Sequence, residues 1–145
     1  MNILLLEDQG SVSVPLQNLL ESRDHTIYNA PNLSRAKYFL KKYPIDCHIV
    51  DLNLPPEGLE PEKIKLTKDG LYSGWIFILE YISKIDIAQK KRTIIYTEYM
   101  NKLRAYVPKK ELDGIYLLEK GSIGPTKKIL EALSKIEKSL PGKAK

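Results

Sequence analysis

HIVDLNLPPEG, residues 48–58, carries an apolar pair, Ile49 and Val50, straight into Asp51, and a polar, turn-forming stretch begins at Asn53 and Pro55. Read as a strand, this segment delivers a carboxylate at the point where the chain leaves its core. A carboxylate in that position is costly unless other groups meet it. What the neighbouring strand ends supply therefore decides both the fold and the function.

Working outward, short apolar runs alternate with segments of helical spacing. Residues 3–6, ILLL, form a continuous apolar run that stops at Glu7 and Asp8, as a strand buried on both faces would. Val12, Leu16, Leu19 and Leu20 then recur at helical spacing, and Pro15 places that helix start near Ser11 to Ser13. HTIYNA reads as a second strand. Leu33, Ala36, Phe39 and Leu40 mark a second helix with Asn32 as its N-cap and Pro44 as its stop. DCHIVD is the third strand, with Asp46 structural at its start. GWIFILEYISKI, apolar nearly all round, reads as a buried helix; RTIIYTE is a fourth strand, NKLRAYV a short helix and GIYLLEK a fifth strand. Ile129, Leu130, Leu133, Ile136 and Leu140 mark the last helix. Strand-helix alternation with short connections predicts an α/β parallel sheet covered by helices on both faces.

One connection is too long for this rhythm. More than twenty residues separate Asp51 from the helix at Gly74. Within an insertion at about 56–72, KIKLTKDGLYSG alternates around Asp69-Gly70, which predicts a β-hairpin flap, with a disordered loop as the alternative. The expected organisation is a single domain over residues 1–140 with a flexible tail at 141–145.

Composition bounds the rest. The chain has 145 residues, 43% hydrophobic and 28% charged, with formal net charge +5, an ordinary balance for one globular domain. No apolar run is long enough to span a bilayer. Met1 leads directly into the first strand without a basic n-region or small-residue cleavage site, so a cytoplasmic location is expected. Cys47, the one cysteine, reads as a core thiol and has no partner for an internal disulfide. The pairs Lys41-Lys42, Lys90-Lys91, Lys109-Lys110 and Lys127-Lys128 are spread along the chain without interleaved aromatic residues. They read as solvated helix ends and loops, and neither nucleic acid nor membrane is expected as a partner.

In an open parallel sheet, ligands bind outside the carboxyl ends of the strands. Those ends here carry Glu7 and Asp8, then Asp51, Thr97 and Lys120. With LLLED, HIVDLNLP, IIYT and LLEK in this order, the chain resembles the receiver domains of two-component response regulators over nearly its whole length. The resemblance implies a flavodoxin-like fold with strand order 2-1-3-4-5, an order of which this family is itself a standard example. It implies Asp51 as phosphoacceptor, Thr97 and Lys120 as contacts to the phosphoryl oxygens, and Mg²⁺ held by Asp8, Glu7, Asp51 and the backbone carbonyl of Asn53. It further implies a phosphohistidine donor, either a sensor histidine kinase or a histidine phosphotransfer protein, and a downstream protein target. A homodimer stays open. Such a domain phosphorylates and dephosphorylates itself and is not a conventional enzyme.

Four features depart from the family pattern. Gly121 follows Lys120 where a proline is usual. Leu117 occupies the usual aromatic position three before the lysine, with Tyr116 one place earlier. Glu98, large and negative, follows Thr97 where a small residue is usual, and the loop after Asp51 is lengthened. The rival reading is a degenerate receiver that binds a partner without taking phosphate. An aspartyl-phosphate phosphatase would want a second carboxylate two residues after the nucleophile, and Asn53 stands there.

Overall fold

A computed structural model describes residues 1–84, 86–121 and 124–142. Five parallel strands, β1 (Asn2–Leu6), β2 (Thr26–Ala30), β3 (Cys47–Val50), β4 (Thr93–Thr97) and β5 (Tyr116–Glu119), form one sheet in the order β2-β1-β3-β4-β5. This is the flavodoxin-like order expected from the sequence. Pairing runs one to one along each ladder, from Asn2↔Thr26 to Leu6↔Ala30 and from Ile94↔Tyr116 to Thr97↔Glu119.

The strands alternate between two apolar layers because successive side chains point to opposite faces. Ile3 and Leu5 of β1, with Cys47, Ile49 and Ile94, pack against α1 (Gly10–Ser22) and α6 (Pro125–Ser139). Leu4, Leu6, Val50 and Ile95 face the other layer, built from α2 (Leu33–Lys42), α4 (Ser73–Phe77) and α5 (Met100–Tyr106). Each fully buried leucine or isoleucine contributes roughly 1.5–3 kcal/mol. A continuous apolar strand is thus stabilised from both sides. Among the described residues no helix is long and apolar enough to cross a membrane.

Local chemistry explains most element ends. The Asn32 side chain accepts a hydrogen bond from Arg35 N at 2.8 Å and caps α2 as expected. Asp46 receives the Asn2 amide on Oδ2 at 2.8 Å and donates its own amide to Asn2 O, tying the start of β3 to β1. Helix α1 begins earlier than the sequence suggested. Gly10 opens it, so Pro15 lies in its second turn. The missing proline N–H leaves the Ser11 carbonyl without that intrahelical donor, and Ser11 is solvent-exposed, where water can replace it.

The expected hairpin does not form. The segment folds as a short helix, α3 (Pro61–Ile64), followed by a 3₁₀ turn at Lys65–Thr67. Pro61 at the first helical position favours helix over strand. The Asp-Gly signal still marks a turn, because Lys68, Asp69 and Gly70 all have positive φ (51°, 60° and 94°). Thr67 closes it: its hydroxyl donates to Ile64 O at 2.7 Å and accepts from Gly70 N at 3.1 Å. The buried helix of the sequence reading starts at Ser73 and passes from α4 into a π-helical turn at Ile78–Ser83, which carries Ile78 and Ile82 into the core. Two further 3₁₀ segments, Ile87–Arg92 and Lys109–Leu112, lead into β4 and β5. At the C-terminus Leu140 is buried, Pro141 and Gly142 form an exposed turn, and positions 143–145 of the expected tail lie outside the described residues.

Candidate functional site

The ladders run one residue past the strand ends, and this brings the charged residues together. Glu7 N donates to Ala30 O at 3.1 Å, Asp51 N to Leu6 O at 3.0 Å and Lys120 N to Thr97 O at 2.9 Å. Glu7, Asp51, Thr97 and Lys120 therefore leave the sheet in register along one edge. Glu7 and Asp51 are nearly inaccessible, at 3% and 6% of full exposure, whereas Asp8 is exposed. One oxygen each from Glu7, Asp8 and Asp51 lies within 4.8 Å of the others.

Lys120 bridges the two buried carboxylates. Its Nζ donates to Glu7 Oε1 at 2.5 Å and to Asp51 Oδ2 at 3.0 Å. Lys120 from the end of β5 and Glu7 from the end of β1 meet over the ends of β4 and β3, which lie between them in the sheet. The remaining oxygens are held by backbone: Asp51 Oδ1 accepts from Leu52 N at 2.7 Å and Glu7 Oε2 from Gln9 N at 3.1 Å. Burial pushes the Glu7 carboxyl up to about 7; the Asp51 charge adds to this, and the hydrogen bond from Lys120 opposes it. For Lys120, burial favours the neutral amine, but the Glu7 hydrogen bond and the attraction of Asp51 outweigh it and raise the pKa.

Thr97 is fully buried at the end of β4, and its Oγ1 accepts from Tyr99 N at 3.2 Å. That bond uses a lone pair and leaves the hydroxyl proton for donation. Asn53 sits two residues beyond Asp51 on the same edge, half-buried. Glu98 points to solvent and is not part of the acidic group among the described residues. Pairing of β5 is regular, so Leu117 packs in the α2/α4/α5 layer and Tyr116 in the α1/α6 layer.

Two supports were not picked out from the sequence. The first is Tyr96, whose ring centroid lies 5.7 Å from Lys120 Nζ; its signal was an aromatic residue immediately before Thr97. The second is the glycine pair of the long connection. Gly74 N donates to Leu52 O at 2.9 Å, and a Cβ on Gly74 would fall 1.9 Å from Asp51 O. A Cβ on Gly70 would lie 2.7 Å from Leu54 O, which also accepts from Ser73 Oγ at 2.6 Å. The connection is therefore folded tightly against the end of β3. A glycine at the head of an otherwise apolar helical pattern, Gly74, is the one sign of that close approach in the sequence.

The same connection straps the two flanking helices. Lys37 of α2 donates to Gly58 O at 2.9 Å, and Lys63 pairs with Glu80 at 3.1 Å. Tyr72 stacks on Tyr106 of α5, with centroids 4.1 Å apart and planes at 17°, and the Tyr106 hydroxyl donates to Leu66 O at 3.4 Å.

An all-oxygen set of three carboxylates suits a hard divalent cation such as Mg²⁺, and its chemistry fits the acidic group. No protein-family model matches the sequence, and no curated protein matches it. Solved structures do match. The receiver domain of Francisella response regulator 1452 is 15% identical at a TM-score of 0.65, with 96% of this chain and 98% of that chain covered. Chemotaxis protein CheY4 of Vibrio cholerae is 16% identical at 0.64, covering 93% and 97%. A response regulator receiver domain protein of Clostridium thermocellum is 22% identical at 0.60, covering 92% and 94%.

Proposed function

From the receiver-domain fold as premise, we propose that this chain is a phosphoacceptor signalling domain that takes a phosphoryl group from a phosphohistidine onto Asp51. The observation that supports this most is the convergence of Glu7, Asp8, Asp51 and Lys120 at one sheet edge, with Thr97 ending the strand between. In the reaction an Asp51 oxygen attacks phosphorus, the P–N bond of the donor breaks, and the imidazole leaves as a neutral group once protonated. The product is an acyl phosphate. Mg²⁺, held by Glu7, Asp8, Asp51 and the Asn53 carbonyl, would offset the repulsion between the anionic nucleophile and the anionic phosphoryl group.

Lys120 and Thr97 divide the remaining work. Lys120 gives up one of its carboxylate contacts and follows the charge onto the phosphoryl oxygens. Thr97 supplies a hydroxyl proton from a site that excludes water. The phosphorylated state is read by a protein partner, and the donor is a sensor histidine kinase or a phosphotransfer protein. The cytoplasm is the compartment where such donors are reached.

One observation favours the rival reading, a receiver that never cycles phosphate. Lys120 already hydrogen-bonds both buried carboxylates, so part of the negative charge a cation would offset is compensated from within the chain. Intact mass after incubation with Mg²⁺ and acetyl phosphate separates the two. A single phosphoryl increment in the parent, absent in Asp51→Asn, is expected. An unmodified parent would support the rival.

A further inference from the structure

The fold turns sequence-scattered lysines into a surface. In a parallel sheet every helix-to-strand connection returns to the same end. Lys41 and Lys42 end α2 just before β3; Lys90, Lys91 and Arg92 immediately precede β4; Lys109 and Lys110 lie in the turn before β5. Strands β3, β4 and β5 are neighbours, so three separate pairs line one pole of the molecule. The groups are contiguous. A cavity between the first two is lined by Leu40 and Ile45 on one side and by Ile82, Asp86 and Gln89 on the other. A Cβ on Gly114, in the lead-in to β5, would lie 3.4 Å from Lys91 Cγ.

Few acids offset this charge near β3 and β4. Asp46 accepts from Asn2 N, and Asp86 caps the Ile87–Arg92 turn by accepting from Ala88 N at 3.0 Å. Glu111 and Asp113 dilute only the β5 end. Complementing a helix dipole accounts for Lys41 and Lys42 in the last turn of α2. It accounts poorly for Lys90, Lys91 and Arg92, which close a six-residue 3₁₀ segment too short to build an appreciable dipole. It does not account for Ile87, which opens that segment 79% exposed, the most exposed large apolar side chain described.

We propose that this amino-terminal pole is a peripheral docking surface for an anionic lipid bilayer. Lysines dominate it, as suits attraction to a charged surface without directional pairing. Ile87 supplies an aliphatic group that enters the headgroup boundary and has no use against a phosphodiester backbone. Nucleic acid is disfavoured because the nearby rings are occupied. Tyr28 stacks on Tyr43 at 4.5 Å, and Tyr38 is contacted by Arg35 at 4.9 Å and Lys42 at 5.3 Å. Docked this way, the acidic edge faces away from the lipid, about 15 Å off along strands of four or five residues, and stays open to partners in solution. This corrects the expectation of no membrane partner: a missing crossing helix bears on spanning alone, and a surface contact needs none.

The test is sedimentation of the whole chain with phosphatidylcholine vesicles, with and without phosphatidylserine, at low and physiological salt. Binding is expected only with phosphatidylserine, and weaker at the higher salt. Lys90→Glu with Lys91→Glu is expected to weaken it at least ~10-fold, on the basis of roughly fivefold per charge. Ile87→Ser should weaken it severalfold at unchanged charge. Lys127→Glu with Lys128→Glu, an equal change in net charge at the start of α6, should leave it within about twofold. No binding at low salt, equal loss in both charge pairs, or displacement from the vesicles by an oligonucleotide would overturn the proposal.

Discussion

The two ends of the five strands treat charge in opposite ways. At the carboxyl ends, Glu7 and Asp51 are buried and Lys120 is spent on both of them. At the amino ends, Lys41, Lys91 and Lys110 lie exposed on the connections. The first arrangement costs desolvation and needs fitted partners; the second costs almost nothing and leaves charge free to act at a distance. One sheet thus carries a site where geometry matters to a fraction of an ångström and a surface where it hardly matters.

That contrast predicts a steep gradient of mutational effects. Gly74→Ala is expected to be the most damaging, by about 3 kcal/mol or more, because its Cβ has to displace the backbone of Asp51. Gly10→Ala on the same edge meets nothing within 4 Å and should cost less than about 0.5 kcal/mol. Urea unfolding of the two variants checks this pair. Next comes Lys120→Met, which leaves two buried carboxylates facing each other. Phosphoryl uptake from acetyl phosphate should fall on the order of 100-fold.

Glu7 gives a pH signature. Its folded-state pKa is raised by burial to about 7 from 4.5. Across that window the folded state binds the proton more tightly than the unfolded one. Stability should therefore fall as pH rises from about 4.5 to 7, by on the order of 2 kcal/mol. Glu7→Gln should flatten that slope in metal-free unfolding curves. Mg²⁺ competes with the same proton, so its affinity, followed through the fluorescence of Trp75, the single tryptophan, should rise over the same range. A smaller effect tests the strap. Tyr72→Leu and Tyr106→Leu should show a coupling of about 1 kcal/mol in a double-mutant cycle. Smallest of all, Lys90→Glu with Lys91→Glu should leave stability within about 0.5 kcal/mol.

The sequence disclosed what depends on period and order. ILLL, CHIV and TIIYT fit short strands inside a sheet, and the helical spacing between them argues for a parallel order. The site followed, since strand ends in such a sheet share an edge. The long connection was misread because alternation at Ile64 and Leu66 is shared by a hairpin and by a helical turn, and Pro61 was the deciding residue. The start of α1 was misplaced by reading Pro15 as confined to a first turn. Spacing along the chain separates the lysine pairs, and only the parallel order applied to the amino ends of the strands, as it was to the carboxyl ends, gathers them at one pole. The contact of Tyr96 with Lys120 depends on a distance across the sheet, which no local pattern encodes, whereas the close approach at Gly74 had a glycine in an apolar helical run as its one local sign.

The most direct test of the central claim is to locate the phosphoryl group. After reaction with acetyl phosphate and Mg²⁺, borohydride reduces an acyl phosphate at aspartate to homoserine, and peptide mass mapping identifies the position. Homoserine at position 51 and at no other aspartate is the expected result. An unaltered Asp51, or reduction at another carboxylate, would contradict the account.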